Sequence, residues 1–393
     1  MNPSRITIHA LLLLAAWPAE AEGPGPDAID VKVRQAMTET GSKGLAIAVI
    51  EQGKVAYVQA YGVRNGAGEA LRTDTVMYGA SLTKTVMAFI ALQLVDAGKL
   101  ALDVPLADDL ERPLTSYGPD PTFPDKYGTY PDLVDDDRWR RITPRMALTH
   151  STGFANFGFL EPDGKLRIHF DPGSRYAYSG EGLILLQFAI EHGRVDRGLG
   201  IDVGDWAEHH VFGPLGMDRT SLKWRPDFSG NVADGWNDKG MNEPHSRRKK
   251  IRMAGSMDTT ITDFSKFVAA LVNGWGLSAA SHAEMVRPQL HIGTKSQFPS
   301  FQPDLPANQQ RKDLYAGLGV VVFQGPQGPG FYKGGHDGTT ANTMVCIEGR
   351  HAAILLLSND VRTEAAFPEL VRFVLGETGV PYEWEYGSPE AKP

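Results

Sequence analysis

Residues 79–98 read Gly-Ala-Ser-Leu-Thr-Lys-Thr-Val-Met-Ala-Phe-Ile-Ala-Leu-Gln-Leu-Val-Asp-Ala-Gly. Val86, Met87, Ile90, Ala91, Leu94 and Val95 recur at three and four residues, the repeat of an amphipathic helix with a buried face, and Gly98 ends it. Ser81 and Lys84 stand three residues apart at its start, so both side chains project from one face within mutual reach. A serine hydroxyl becomes a nucleophile only when a neighbour removes its proton, and a lysine can do this where burial or a nearby cation lowers its pKa. The helix N-terminus adds N–H groups and positive dipole that suit a developing oxyanion. The same Ser-x-x-Lys spacing recurs at Ser246 and Lys249, but among bases and with no apolar face, so context selects Ser81.

Upstream, residues 45–50 and 55–61 alternate as two strands joined through Gln52-Gly53, a hairpin signal. Downstream, residues 104–142 are rich in Pro, Asp, Gly and Tyr and predict a long irregular excursion. Helical spacing returns at about 144–149, 180–192 and 203–211, and again over 262–273. Strands are expected near 315–323, 330–336, 340–348 and 351–358, with a closing helix near 362–376. The order predicts an α/β (α+β) fold, an antiparallel sheet flanked by helices with an inserted, mainly helical lobe. The α/β lobe takes about 30–103 and 255–380, the insert about 104–254, and a substrate cleft is expected between them.

With 393 residues, 42% of them hydrophobic and 22% charged, disordered and fibrous classes are excluded. The basic start, the apolar run over 6–17 and Ala19-Glu20-Ala21 follow the order of a secretory signal peptide over 1–21, with cleavage near Ala21. The expected mature chain, 22–393, is periplasmic or secreted without a stable membrane anchor, since a span needs about 20 apolar residues. The net charge of −8 does not favour nucleic acid, and the basic run Arg247-Arg248-Lys249-Lys250 reads as a solvated loop. Cys346, in an apolar strand text, reads as a buried thiol. His209 and His210 are adjacent and diverge on a helix, there is no His-Glu-x-x-His, and no metal or organic cofactor is expected. Gly-x-Ser-x-Gly, P-loop and Gly-x-Gly-x-x-Gly patterns are absent, and His150 reads as a residue that satisfies backbone groups inside the helical lobe.

Two further segments carry chemistry. Pro172-Gly173 precedes Tyr178-Ser179-Gly180 at a loop-to-helix junction, where a lysine-depressed tyrosine can shuttle a proton. Gly335-His336-Asp337-Gly338-Thr339-Thr340 opens a strand whose edge N–H could serve an oxyanion. Together with Ile142-Thr143-Pro144, Leu148-Thr149-His150-Ser151-Thr152-Gly153, Pro214-Leu215-Gly216-Met217 and Met253-Ala254-Gly255-Ser256-Met257, the set resembles the serine β-lactamase and penicillin-binding-protein superfamily, in its branch of class C β-lactamases, DD-peptidases and related esterases. The resemblance runs over about 30–376.

The resemblance implies Ser81 as acylated nucleophile, Lys84 and Tyr178 as the base and acid system, His336 with Gly338 in the third motif, and oxyanion N–H groups from Ser81 and Thr339. It implies attack on a carbonyl, an acyl-enzyme and hydrolysis by water, with a small-molecule or peptide substrate; the oligomeric state stays open. Two positions depart from the pattern. Gly180 stands where the family often has Asn, and His336-Asp337-Gly338 where it often has Lys-Thr-Gly, with Lys333-Gly334-Gly335 as a rival alignment. The sequence thus points to an exported serine hydrolase of β-lactams or D-alanyl peptides, with a carboxylesterase as the alternative enzyme and an inert binding protein as the alternative of another class.

Overall fold

Along the strand Gly44–Glu51 (β1), Leu45, Ile47 and Val49 face one way and Ala46, Ala48 and Ile50 the other, and all six are buried. Alternation fully buried on both sides requires a layer of helices on each face of the sheet. The computed structural model, which describes residues 23–387, has that arrangement, and the leader-like residues 1–21 lie outside the described residues. Seven more strands complete the sheet: Lys54–Gly62 (β2), Leu290–His291 (β3), Leu314–Ala316 (β4), Val321–Gly325 (β5), Gly328–His336 (β6), Ala341–Ile347 (β7) and Ala352–Ser358 (β8). Their order is β2-β1-β8-β7-β6-β5-β4-β3, antiparallel throughout, so the two ends of the chain meet at the β1–β8 pair.

The helices that cover the sheet or reach the site are Pro26–Thr40 (α1), Thr83–Asp96 (α2), Gly180–His192 (α3), Ile261–Val272 (α4), Phe367–Leu375 (α5) and the short Tyr382–Tyr386 (α6), and shorter ones lie at Leu106–Asp109, Pro144–Leu148, Val203–Ala207 and Ala279–Val286. Ile29, Val33 and Ala36 of α1 and Phe367, Leu370 and Val371 of α5 join the Leu45/Ile47/Val49 cluster. The opposite cluster contains α2, α3 and α4 and continues into the inserted residues without a break. Among the described residues no helix is long and apolar enough to cross a membrane.

The fold class follows the sequence reading. The hairpin closes through Gln52 (φ 49°) and Gly53 (φ 73°), and α2, α3 and α4 begin within two residues of their expected starts. The strand expected over 315–323 is two strands, β4 and β5, because the chain breaks at Gly319. That residue has φ 71°, and a β-carbon there would lie 2.4 Å from the Ala88 side chain, so α2 packs where only glycine fits. Helix α1 has only three buried apolar residues over 15 positions, and β3 and α6 are shorter than one readable period, so none of these was visible in the spacing.

One feature of this architecture positions the cleft. Strand β6 pairs with β5 only up to Tyr332, so residues 333–336 have no neighbouring strand on that side among the described residues and face the turn Ala80–Leu82 that starts α2.

Because neighbouring positions of a strand serve two different cores, Leu355→Ala and Leu356→Ala are each expected to cost about 2–5 kcal/mol in urea unfolding. Val55→Ala, on the exposed hairpin, is expected to stay within about 0.5 kcal/mol. A near-neutral result for either leucine would contradict a doubly covered sheet.

Candidate active site

The turn that presents Ser81 is pinned from three sides. Gly79 N–H donates to Met257 O at 2.8 Å, Thr83 Oγ1 donates to Ala80 O at 2.6 Å, and Met257 N–H donates back to Thr83 Oγ1 at 3.1 Å. Ala80 is held at φ 46°, a left-handed conformation unfavourable for a residue with a β-carbon, immediately before the serine. Lys84, 1% exposed, lies one helical turn on, and its Nζ is 3.1 Å from Ser81 Oγ and donates also to Ala254 O. Burial lowers the Lys84 amine to about 8, helped by Lys333 and opposed by the attraction of Tyr178.

Tyr178 sits just ahead of α3 with its ring 5.0 Å from Lys84 Nζ and its hydroxyl 3.4 Å from Lys333 Nζ. Burial alone would raise the phenol, but Lys333, then Lys84, and hydrogen bonds with Ser81 and Lys84 outweigh it and hold Tyr178 at about 8. A serine hydroxyl therefore faces two groups that exchange protons near neutral pH, which is the arrangement a general base and acid require. His150 supports the tyrosine from behind: its ring centre is 4.4 Å from that of Tyr178, its Nδ1 lies 3.0 Å from Ser179 O and 3.2 Å from Ser179 N, and burial pushes it well below the usual histidine range.

Strand β6 forms the opposite wall, and here the geometry corrects the sequence alignment. Lys333, 3% exposed, is the cation beside Tyr178, so Lys333-Gly334-Gly335 takes the place expected for His336-Asp337-Gly338. A β-carbon on Gly335 would lie 3.0 Å from Ser81 N, Leu82 N and Gly79 O, which measures how closely strand and turn approach. Asp337 N–H donates to Thr340 O, making 337/340 a hydrogen-bonded pair, so the next pair, His336/Ala341, directs its N–H groups away from the ladder. The His336 N–H thus points away from β7, on the side of β6 that faces the turn Ala80–Leu82.

Gly338 and Thr339 lie past the strand, in the turn, and line a separate smaller hollow. Thr339 N–H is occupied by Asp337 Oδ1 at 2.8 Å, and Thr339 Oγ1 donates to the same oxygen at 3.0 Å, so this residue does not present an oxyanion donor. Asp337 is held there, with its second oxygen 3.9 Å from Arg248. The basic run is the loop that its composition suggests, with Arg247 and Lys249 exposed, and it also borders the cavity. Arg248 lies 3.4 Å over the Tyr78 ring, and Arg248, Lys249 and Lys250 line the cavity, with Lys250 paired to Asp125.

The cavity measures about 680 Å³. Phe123, Phe157, Phe159 and Phe298 give it an aromatic wall, with Phe157 and Phe159 stacked at 5.3 Å and Phe298 5.3 Å from Tyr178. Gly180 is glycine for space: a β-carbon would fall 2.7 Å from the Phe157 ring. Asn156, from another segment, accepts the Gly180 N–H at 2.9 Å and brings an amide to the cavity wall. Asn156 and Glu385 were not singled out by sequence, since neither stands in a recognisable spacing from the serine. Among the described residues no group of three His, Cys, Asp or Glu side chains is placed to hold a metal. Cys346 is buried, and burial raises its thiol well above the usual range.

The sequence profile of the family described as Beta-lactamase matches residues 29–375. "Putative beta-lactamase-like 1" of Homo sapiens is 26% identical over 261 residues, 63% of this chain and 49% of that protein. "Lovastatin esterase" of Penicillium rubens is 30% identical over 210 residues, 47% of this chain and 50% of that protein. The chain thus spans about half the length of these curated relatives. Among solved structures, one described as a class C beta-lactamase superposes with a TM-score of 0.67 at 18% identity, over 89% of this chain and 95% of that one, a likeness of fold.

If Lys333 holds the tyrosine down, an ultraviolet difference titration should show one tyrosine ionising near pH 8 that is absent in Tyr178→Phe and moves to higher pH in Lys333→Ala. A step that stays in place without Lys333 would contradict this account of the site.

Proposed function

The chain belongs to the beta-lactamase family, and from that premise we propose that it is a serine hydrolase that cleaves carboxylic esters or amides through an acyl-enzyme on Ser81. The observation that carries the reading is the buried Lys84 amine 3.1 Å from Ser81 Oγ, with Tyr178 poised beside both. Ser81 Oγ attacks the carbonyl carbon while the Lys84 and Tyr178 pair takes its proton. The carbonyl oxygen becomes an oxyanion between the N–H groups of Ser81 and His336, fixed before the reaction begins. Tyr178 returns the proton to the leaving oxygen or nitrogen, the carbonyl bond to it breaks, and the acyl group remains on Ser81. Water then adds to the acyl carbonyl, gives its proton to the same pair and releases the carboxylic acid and free Ser81.

Ester substrates are the reading supported best. The aromatic wall suits a bulky apolar group, and Gly180 removes the side chain that in the resembling enzymes meets a substrate amide. The second reading, β-lactams or D-alanyl peptides, is supported by Lys333 at the Tyr178 side of the cleft and by Asn156, an amide that could replace the missing one. The leader-like residues 1–21 support action in the periplasm or outside the cell.

Hydrolysis of a para-nitrophenyl ester is expected to fall by at least about 10³-fold in Ser81→Ala, together with loss of the fluorophosphonate adduct seen in the native protein. Equal behaviour of the two proteins would leave the inert binding protein as the better reading. In Gly335→Val the side chain would meet backbone at 3.0 Å, so fluorophosphonate labelling should slow by about 10²-fold with the circular dichroism unchanged.

A further inference from the structure

Helix α6 returns the chain to the active site from more than 200 residues beyond Tyr178. It is fastened there by Trp384, whose indole donates to Thr294 Oγ1 at 3.1 Å, whose carbonyl accepts from Gln297 N–H at 2.7 Å, and whose ring centre is 5.7 Å from that of Tyr176. The next residue, Glu385, is 6% exposed and lines the same cavity as Ser81, Lys333 and Gly334. Its carboxyl group takes hydrogen bonds from the Tyr332 side chain and the Gly334 backbone. A buried carboxyl group costs stability, and such departures concentrate where a site needs them.

Resting on the Ser81 reading, we propose that Glu385 determines specificity: its carboxylate offsets the Lys333 charge on the leaving-group side of the cleft and turns the enzyme away from substrates whose leaving group bears a carboxylate. The side is fixed by Tyr178, which protonates the leaving group and touches Lys333. Were Lys333 the only charge there, it would draw an anionic leaving group inward. With Glu385 ionised in the same cavity, the Lys333 charge is offset and an incoming carboxylate also meets a like charge. Neutral leaving groups, such as simple alcohols and phenols, are indifferent to this.

Burial raises the Glu385 carboxyl to about 7; Lys333 and hydrogen bonds from Tyr332 and the Gly334 backbone lower it, and Glu364 raises it. The other titratable neighbours are Tyr176 and Tyr382, with His336 3.9 Å from Glu364. Below that pH the acid is neutral, Lys333 is uncompensated, and discrimination against carboxylates should fade.

The test compares the acetyl esters of para-hydroxybenzoic acid and of its methyl ester, which differ by one charge on the leaving group, with active protein counted by fluorophosphonate. Glu385→Gln is expected to raise the ratio of kcat/KM for the carboxylate over the methyl ester by about tenfold, mainly through KM. In the native protein the same ratio should rise on going from pH about 8 to about 6, and that rise should be absent in the variant. General damage to the fold lowers both substrates together and leaves the ratio alone. An unchanged ratio in the variant, or a pH-independent ratio in the native protein should the variant not fold, overturns the proposal. If the native protein takes fluorophosphonate and hydrolyses the neutral ester but shows no charge discrimination, Glu385 fails while Ser81 stands; if it does neither, the Ser81 reading fails and takes this one with it.

Discussion

The structure depends on burying the Lys84 amine where, among the described residues, no carboxylate pairs with it. Its partners are the Ser81 hydroxyl, the Ala254 carbonyl and the face of Tyr178. A second buried cation, Lys333, approaches the same phenol. Desolvation and the like charge of Lys333 make the protonated Lys84 expensive, and a tyrosinate beside it is the natural relief. Lys84, Tyr178 and Lys333 thus form one electrostatic cluster beside the Ser81 hydroxyl.

Holding that cluster requires a scaffold that can oppose the burial cost, and the doubly covered sheet supplies it. Strand β6 must stop pairing with β5 at Tyr332, so that its next residues can lie against the start of α2. Glycine at 335 permits the approach, and the Met253–Met257 segment locks the turn from the other side. The backbone of Ser81 and that of Gly335, from elements far apart in sequence, thereby come into close approach at the cleft.

What the sequence made legible follows from range. The β1–β2 hairpin, α2 with its Ser81 and Lys84, and α3 behind Tyr178 are written in spacing over a dozen residues, and they were readable. The third motif was not, because Lys333-Gly334-Gly335 and His336-Asp337-Gly338 lie three residues apart in one stretch of strand text. Only the register of β6 on β7, which puts the turn at 337–340, decides between them. The basic run is the exposed loop that its polar neighbours in sequence suggest, but its place at the cavity rim, with Arg248 over Tyr78, is set by tertiary packing. Asn156 and Glu385 reach the site through tertiary packing alone, and no local pattern announces them.

The central claim, a covalent acyl group on Ser81, is tested most directly by mixing the protein with a slowly turned-over ester, quenching in acid within the first turnover, and locating added mass by peptide mapping. The account predicts one acyl group per chain, carried by the peptide that contains Ser81 and lost again as turnover completes. Turnover with no mass on that peptide at any time, or an acyl group on a different residue, would contradict it.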